Sequence, residues 1–396
     1  MLRHERVPAI SYPYEWSFEM LRDAAKLQLD LTQAALAEDL TTKDATSYNV
    51  QFVGARPTFI DVGSFEQLVA AEPWHGYRQF CQLFLYPLMF QGYKNLPFQP
   101  WLRGAIDGIT PLDARAAMSR WDLLSPRKKG TMLHVGLHAR AERRYADSDR
   151  DVKADLKKAG FKKEVTVAQV RGLRKIVEKL RWKQSESEWS GYSERGHYSD
   201  DDLARKSEFV AAVTGQRRRR LVLDLGANDG YFSRQAIEAG AEYVVAIDAD
   251  PLVVDTLYRT LRDEGNERIL PLTMNLADPS PGSGWRGTER RPFVGRFEPD
   301  LLLALAVVHH VAISANVPLG AFVGLLADLG GDVVVEFPTP DDPMVQRLLR
   351  NKREGVHDEY TVETFEGELA TRFAIESREV LPSQTRILYH LTPPAR

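Results

Sequence analysis

Residues 221–230 read L-V-L-D-L-G-A-N-D-G, and a second apolar run, 243–247, ends on Asp248 one strand-and-helix unit later. This pair constrains the fold more than anything else in the chain. The run of Leu221, Val222, Leu223 and Leu225 is too short for a helix and suits a strand buried on both faces of a parallel sheet. Gly226 and Gly230 permit a sharp turn and a close approach of backbone to a ligand. The following segment, 231–239, lacks Gly and Pro and is predicted to be helical, so its N-terminus faces whatever the turn holds. Asp248, at the tip of the next strand, can accept hydrogen bonds from both hydroxyls of a ribose.

A dinucleotide turn requires G-x-G-x-x-G, in which the second glycine admits a pyrophosphate. Here Asn228 takes that place, with Asp224 and Asp229 beside it. Carboxylates repel a pyrophosphate and suit a ligand bearing an amine and a sulfonium. The segment resembles motif I of class I S-adenosylmethionine (SAM) methyltransferases. That resemblance implies that Asp224, Gly226, Asn228 and Gly230 hold the methionyl part and Asp248 the ribose.

Downstream the chain keeps alternating strand and helix, which predicts a doubly wound sheet. The predicted strands are 269–274, 300–306 and 333–335, with helices at 251–262, 344–351 and 361–373. A final pair of strands, 374–380 and 386–391, resembles the antiparallel edge of the methyltransferase sheet. In that family Asn275 and Leu276 fall where side chain and backbone meet adenine; a turn role is the alternative for Asn275. His309 and His310 follow the fourth strand, at the edge where open α/β sheets bind ligands. If the chain is still extended there, only one of the two faces an acceptor. A histidine so placed is a candidate general base or a pocket wall. Glu336 ends the fifth strand at the same edge. The Pro/Gly-rich loop 279–299 carries Trp285, Arg286, Arg290 and Arg291, and the three arginines are candidates for holding a polar or anionic acceptor.

The chain has 396 residues, 43% of them hydrophobic, a net charge of −3 and one cysteine, Cys81. This allows more than one core and excludes an intrachain disulfide framework or Cys-rich zinc site. No apolar run has the length of a membrane span and the start lacks a signal core, so a cytoplasmic protein without membrane contact is expected. No metal site is identified. The charge balance gives no global attraction to nucleic acid.

The N-terminal half is expected to be mainly helical. Residues 18–36 carry an amphipathic pattern, the aromatics between Trp74 and Trp101 read as core, and Thr110–Pro111 open a helix expected to bury Met118, Trp121 and Leu124. Between these lie Asp44, Asn49 and Asp61, in an order that resembles the catalytic and metal-binding loops of protein kinases; the glycine-rich loop and nucleotide-clamping lobe of that family are missing. Residues 143–199 are rich in Lys and Arg at first, including Lys153, Lys157 and Lys158, and end on Trp189, Tyr192, His197 and Tyr198, a candidate cofactor lid. Arg217–Arg220 read as an exposed lead-in to the first strand.

The fold expected is therefore a Rossmann-like, seven-stranded class I methyltransferase sheet over 207–396, a basic connector over 143–206, and a separate mainly α-helical domain over 1–142. The whole pattern, with Y-P-Y-E-W near the start and V-H-H-V-A-I-S-A-N-V-P-L after the fourth strand, resembles a bacterial methyltransferase group that includes nodulation-type proteins. It implies SAM-dependent methyl transfer to an oxygen or nitrogen of a small-molecule or glycan acceptor. The alternatives are an RNA or protein methyltransferase that docks through the basic connector, and a non-catalytic SAM-binding scaffold.

Overall fold

The computed structural model describes residues 4–70, 72–125, 128, 130–146, 162–184, 200–350 and 352–394. The chain divides into two compact units, one formed by residues 11–52 and 57–185, the other by 186–396 together with 1–10 and 53–56.

In the second unit, strands β1 (Val222–Leu225), β2 (Val244–Asp248), β3 (Ile269–Thr273), β4 (Leu301–Ala304), β5 (Asp332–Pro338), β6 (Ala374–Val380) and β7 (Arg386–Thr392) make one sheet in the order β6-β7-β5-β4-β1-β2-β3. The five strands β3-β2-β1-β4-β5 run parallel, and β7 pairs antiparallel with β5, with Leu388 opposite Glu336. This is the class I methyltransferase sheet. Strand order reverses at β1, so the ends of β1 and β4 flank a crevice, the position at which open α/β sheets bind ligands. Helices α1 (Asp200–Gly215), α2 (Tyr231–Glu238), α3 (Pro251–Asp263), α4 (Leu319–Leu329), α5 (Pro343–Leu349) and α6 (Val362–Ala370) accompany the sheet. Asp250 caps α3, its side chain accepting from Leu252 N, and Pro251 takes the first turn, where its missing N–H costs nothing. Over β5 and β7, Phe365 stacks on Phe337 at 4.5 Å and meets Tyr389 edge-on at 5.8 Å, fixing α6 on the sheet.

The tetrabasic run departs from its expected exposure. Arg217, Arg218 and Arg220 are exposed, but the Arg219 side chain is fully buried. Its guanidinium donates to Asp332 Oδ2 at 2.7 Å, to the Asp300 carbonyl at 2.9 Å and to the Val213 carbonyl at 3.2 Å, tying α1, β4 and β5 together. Sequence separations of up to 113 residues hide this tie from any local reading.

The first unit carries a long helix, Phe18–Ala37, a two-stranded pair (Leu40–Thr42 with Phe65–Gln67) and several further helices, and a hairpin pairs Val50–Val53 with Arg56–Phe59. Phe80, Phe84, Tyr86 and Phe90 are fully buried, as expected of a core. The expected helix after Thr110 breaks in two. Ser119 starts a new helix, Arg120–Leu124, with a reciprocal cap to Asp122, and the change of phase leaves Trp121 84% and Leu124 66% exposed instead of buried. Asn49 Nδ2 donates to Asp61 Oδ2 at 3.2 Å, so two members of the kinase-like trio do meet. Among the described residues no group of three or more His, Cys, Asp or Glu is arranged to hold a metal ion, and no helix is long and apolar enough to cross a membrane. Lys153, Lys157, Lys158, Trp189, Tyr192, His197 and Tyr198 lie outside the described residues.

Replacing Asp332 by Ala leaves the Arg219 guanidinium buried without its carboxylate. Unfolding in urea should show a loss of about 3–5 kcal/mol, the usual cost of orphaning a buried charge; a loss below about 1 kcal/mol contradicts the tie.

Candidate active site

A cavity of about 440 Å³ opens at the C-terminal ends of β1, β2 and β4, a size typical of small-molecule sites. Its lining combines the acids Asp224, Asp229 and Asp248 with mostly apolar residues, among them Leu305, Val307 and Val311, and with His310 and Ser314.

The turn after β1 builds part of this lining. Gly226 and Gly230 have φ of 82° and 77°, and Asn228 has φ of 47°, a left-handed conformation that Asn tolerates better than most residues. At Gly230 a Cβ would also come within 2.8 Å of Leu257 Cδ1. Gly230 thus lets α2 start against α3; it does not line the cavity, whereas Gly226 and Asn228 do. Asp248 fixes the turn from across the sheet: its Oδ2 accepts from Asn228 N at 3.0 Å and its Oδ1 from Asp250 N at 2.9 Å. A carboxylate has further lone pairs, so both oxygens keep acceptor capacity toward the cavity. Burial raises the Asp248 pKa, and backbone donors at Asp250, Asn228 and Ala249 oppose that rise.

Asp224 is buried at the floor and accepts from Ser233 Oγ at 2.6 Å. Burial raises its pKa to about 6, with Ser233 and Lys206 pulling the other way. Leu276 and Asn275 line the far wall. Asn275 is exposed, and its Oδ1 accepts from Ala277 N at 2.9 Å, so its carbonyl side is used in a turn and its amide nitrogen is what it can offer a ligand.

The chain is not extended at the two histidines. Val307 O accepts from both His310 N and Val311 N, at 3.1 Å each, and a π-helical turn follows over His310–Ser314. The rings pack with centroids 4.0 Å apart. His310 lines the cavity and His309 lies behind it, 1% exposed, with neither ring nitrogen hydrogen-bonded among the described residues. Burial drives the pKa of His309 well below its usual value and that of His310 to about 4, so both rings are neutral at physiological pH.

Other expected contacts fall elsewhere. Arg286, Arg290 and Arg291 do not line the cavity. Their loop is anchored by Phe293 and Phe297, both buried, and by a bridge between Ser283 and Arg290, while Trp285 stands 76% exposed. Glu336 is also absent from the cavity wall. It is fully buried, accepting from Lys206 Nζ at 2.5 Å and Arg386 Nη1 at 3.0 Å, and Arg386 in turn donates to Asp342 Oδ2 at 2.7 Å. The pKa of Glu336 is lowered because these two cations outweigh its burial. Lys206, Tyr231 and Phe232 line the cavity without having been singled out in the sequence. The one available signal for Lys206 was its place on the stripe of Phe209, Val210 and Val213, the buried face of α1.

The donor set fits SAM. Carboxylates face where a sulfonium, an amine and ribose hydroxyls would lie, and no run of backbone glycines opens the turn to a pyrophosphate.

No family model matches the chain. Over 391 residues it is 32% identical to nodulation protein NoeA of Rhizobium meliloti (strain 1021), covering 98% of this chain and 81% of that protein. Among solved structures, N-methyltransferase NodS from Bradyrhizobium japonicum WM9 in complex with S-adenosyl-L-homocysteine aligns over 53% of this chain and 100% of its own, at 12% identity and TM-score 0.38. A SAM-dependent methyltransferase from Aquifex aeolicus aligns over 48% and 93%, at 14% identity and TM-score 0.34.

Between about pH 4 and 6 the folded protein holds a proton on Asp224 that the unfolded chain releases. This group therefore favours folding at low pH, and its contribution is lost as pH rises through about 6. Asp224→Asn should be more stable than the parent at pH 7.5 by on the order of 1–3 kcal/mol, with the gap closing toward pH 4. Urea unfolding at both pH values checks this; a gap independent of pH contradicts it.

Proposed function

Because the chain belongs to the family of nodulation protein NoeA and its second unit is a SAM-dependent methyltransferase, we propose that it methylates an oxygen or nitrogen of a neutral polar acceptor, a carbohydrate or secondary metabolite. The observation that carries this reading is the single cavity running from Asp248 to His310, which joins the cofactor cradle to a pocket with no arginine on its walls. A neutral acceptor has His310 and Ser314 for hydrogen bonds and apolar walls for packing. The basic helix Lys163–Lys179 gives the RNA alternative limited support, since Lys163 and Arg174 are paired with Asp39 and Asp30.

In this reading SAM supplies a methyl group on a positively charged sulfur. Asp248 would take the ribose hydroxyls, Asp224, Gly226 and Asn228 would border the methionyl part, and Asn275 and Leu276 the adenine. The apolar residues after β4 exclude water and align the acceptor, from which much of the acceleration comes. His310, neutral and at the acceptor end, takes the proton that the acceptor gives up, and His309 packs behind its ring.

Asp248→Ala should abolish SAM binding by calorimetry, and the parent chain should transfer labelled methyl to members of a panel of neutral oligosaccharides and hydroxyl- or amine-bearing metabolites. Methylation of RNA or protein alone in the same panel rejects the acceptor assignment. For His310→Gln the expectation is a fall in kcat of about 10²-fold or more with SAM affinity within a few-fold of the parent. At saturating SAM, the parent's kcat/KM for acceptor should gain no limb from this group between pH 6 and 8, because its base form is complete above about 4; unchanged kcat in the variant makes His310 a wall and not a base.

A further inference from the structure

The first unit turns apolar side chains outward at one place. Trp121 and Leu124 on the helix Arg120–Leu124 are exposed, and so are Leu133 and Leu137 on the π-helical turn Thr131–Leu137, at 56% and 48%. The two segments lie side by side, with Leu123 Cδ2 3.6 Å from where a Cβ on Gly136 would sit, so the exposed groups belong to one surface. Polar anchors on the inner faces fix this orientation. Asp122 is buried and accepts from Ser119 N and Lys94 Nζ at 2.8 Å each, and it also pairs with Lys128. His134 Nδ1 and His138 Nδ1 lie 2.8 Å from the hydroxyls of Tyr77 and Tyr86, and Tyr86 Oη donates to the His134 carbonyl at 2.7 Å. Turning either helix to bury its leucines would break these bonds, so the outward apolar face is built into the fold.

The surroundings of this face are basic. Over 120–146 the sequence has seven Lys or Arg and two Asp or Glu, in a chain whose net charge is −3. Arg120 precedes Trp121, and Arg140 continues the stripe of Leu133 and Leu137 at helical spacing. Both arginines are exposed, and neither has an ion-pair partner among the described residues. Small ligands favour concave sites, whereas these side chains project. Projecting Trp and Leu amid unpaired arginines match an anionic lipid surface: the apolar groups enter the boundary of the acyl region, at the depth Trp favours, and the arginines meet the headgroup phosphates and carboxylates.

We propose that this face docks the protein on a membrane surface that contains anionic lipid. Docking of this kind needs no spanning helix, and it replaces the expectation of no membrane contact, which came from the lack of a span. It does not depend on the identity of the methyl acceptor.

The test is co-sedimentation of the full chain with vesicles of phosphatidylcholine alone and with about 30% phosphatidylserine added. The parent should partition onto the anionic vesicles and lose most of that binding on neutral vesicles and at high salt. Trp121→Ser/Leu124→Ser should weaken partition by at least about tenfold, and Leu133→Ser/Leu137→Ser, on the neighbouring segment, should reproduce that loss. Arg120→Gln/Arg140→Gln should cost about tenfold on anionic vesicles and little on neutral ones. All three variants change exposed side chains and should keep the parent's Tm. A parent that stays in solution beside anionic vesicles at low salt overturns the proposal, as does binding that the three variants retain. A parent that instead forms dimers, lost in Trp121→Ser/Leu124→Ser, without binding vesicles also overturns it and assigns the face to a second copy of the chain.

Discussion

The site depends on one carboxylate. Asp248 ends β2 and reaches across to the turn after β1, where it accepts from the Asn228 amide, while its other oxygen accepts from Asp250 at the start of α3. The Asn228 bond, together with Gly226 N and Ala227 N donating to the Ile247 carbonyl, holds a turn that contains a left-handed Asn and two positive-φ glycines, which is why the backbone can curve around a ligand without collapsing onto it. The same acid faces the cavity. A single residue therefore shapes the cradle and offers acceptor capacity to a ribose, and the two roles reinforce each other because a preformed acceptor needs no reorganisation on binding.

Charge is divided between two places in this unit. The cavity gathers acids, which suits a ligand bearing a sulfonium and an amine. Lys206 lines the same cavity and is tied into a buried chain with Glu336, Arg386 and Asp342 that carries no net charge. Buried pairs of this kind contribute little net stability compared with apolar residues of the same volume, but they fix geometry where one partner is lost only at high cost. Here they join α1, β5, β7 and the start of α5.

Much of this was legible in the sequence. The strands from 222 to 392 follow from short apolar runs between turn residues, and the hairpin that closes the sheet was visible as two short segments after the last helix, joined by Pro382 and Ser383. The glycine turn and Asp248 were legible because their chemistry is local. What failed to show is what depends on distance: Glu336 looked like a residue of the ligand edge until Lys206, 130 positions away, and Arg386 enclosed it. Arg219 looked exposed for the same reason. The arginines of the 279–299 loop were read as acceptor ligands from loop composition, which says nothing of which way a side chain faces; none of the three lines the cavity. The phase of the helix after Thr110 was lost to a second cap at Ser119, and Asn49 and Asp61 do meet, as their order suggested, without a metal-ligand set around them among the described residues.

The central claim is that the cavity between Asp248 and His310 is a SAM site with its reactive end toward His310. A crystal structure of the chain soaked with S-adenosyl-L-homocysteine tests it most directly. The account predicts ribose hydroxyls within hydrogen-bonding distance of the Asp248 carboxylate and the sulfur directed toward the pocket that His310 and Ser314 line. Ligand density elsewhere, or a bound ligand whose sulfur faces away from His310, would contradict it.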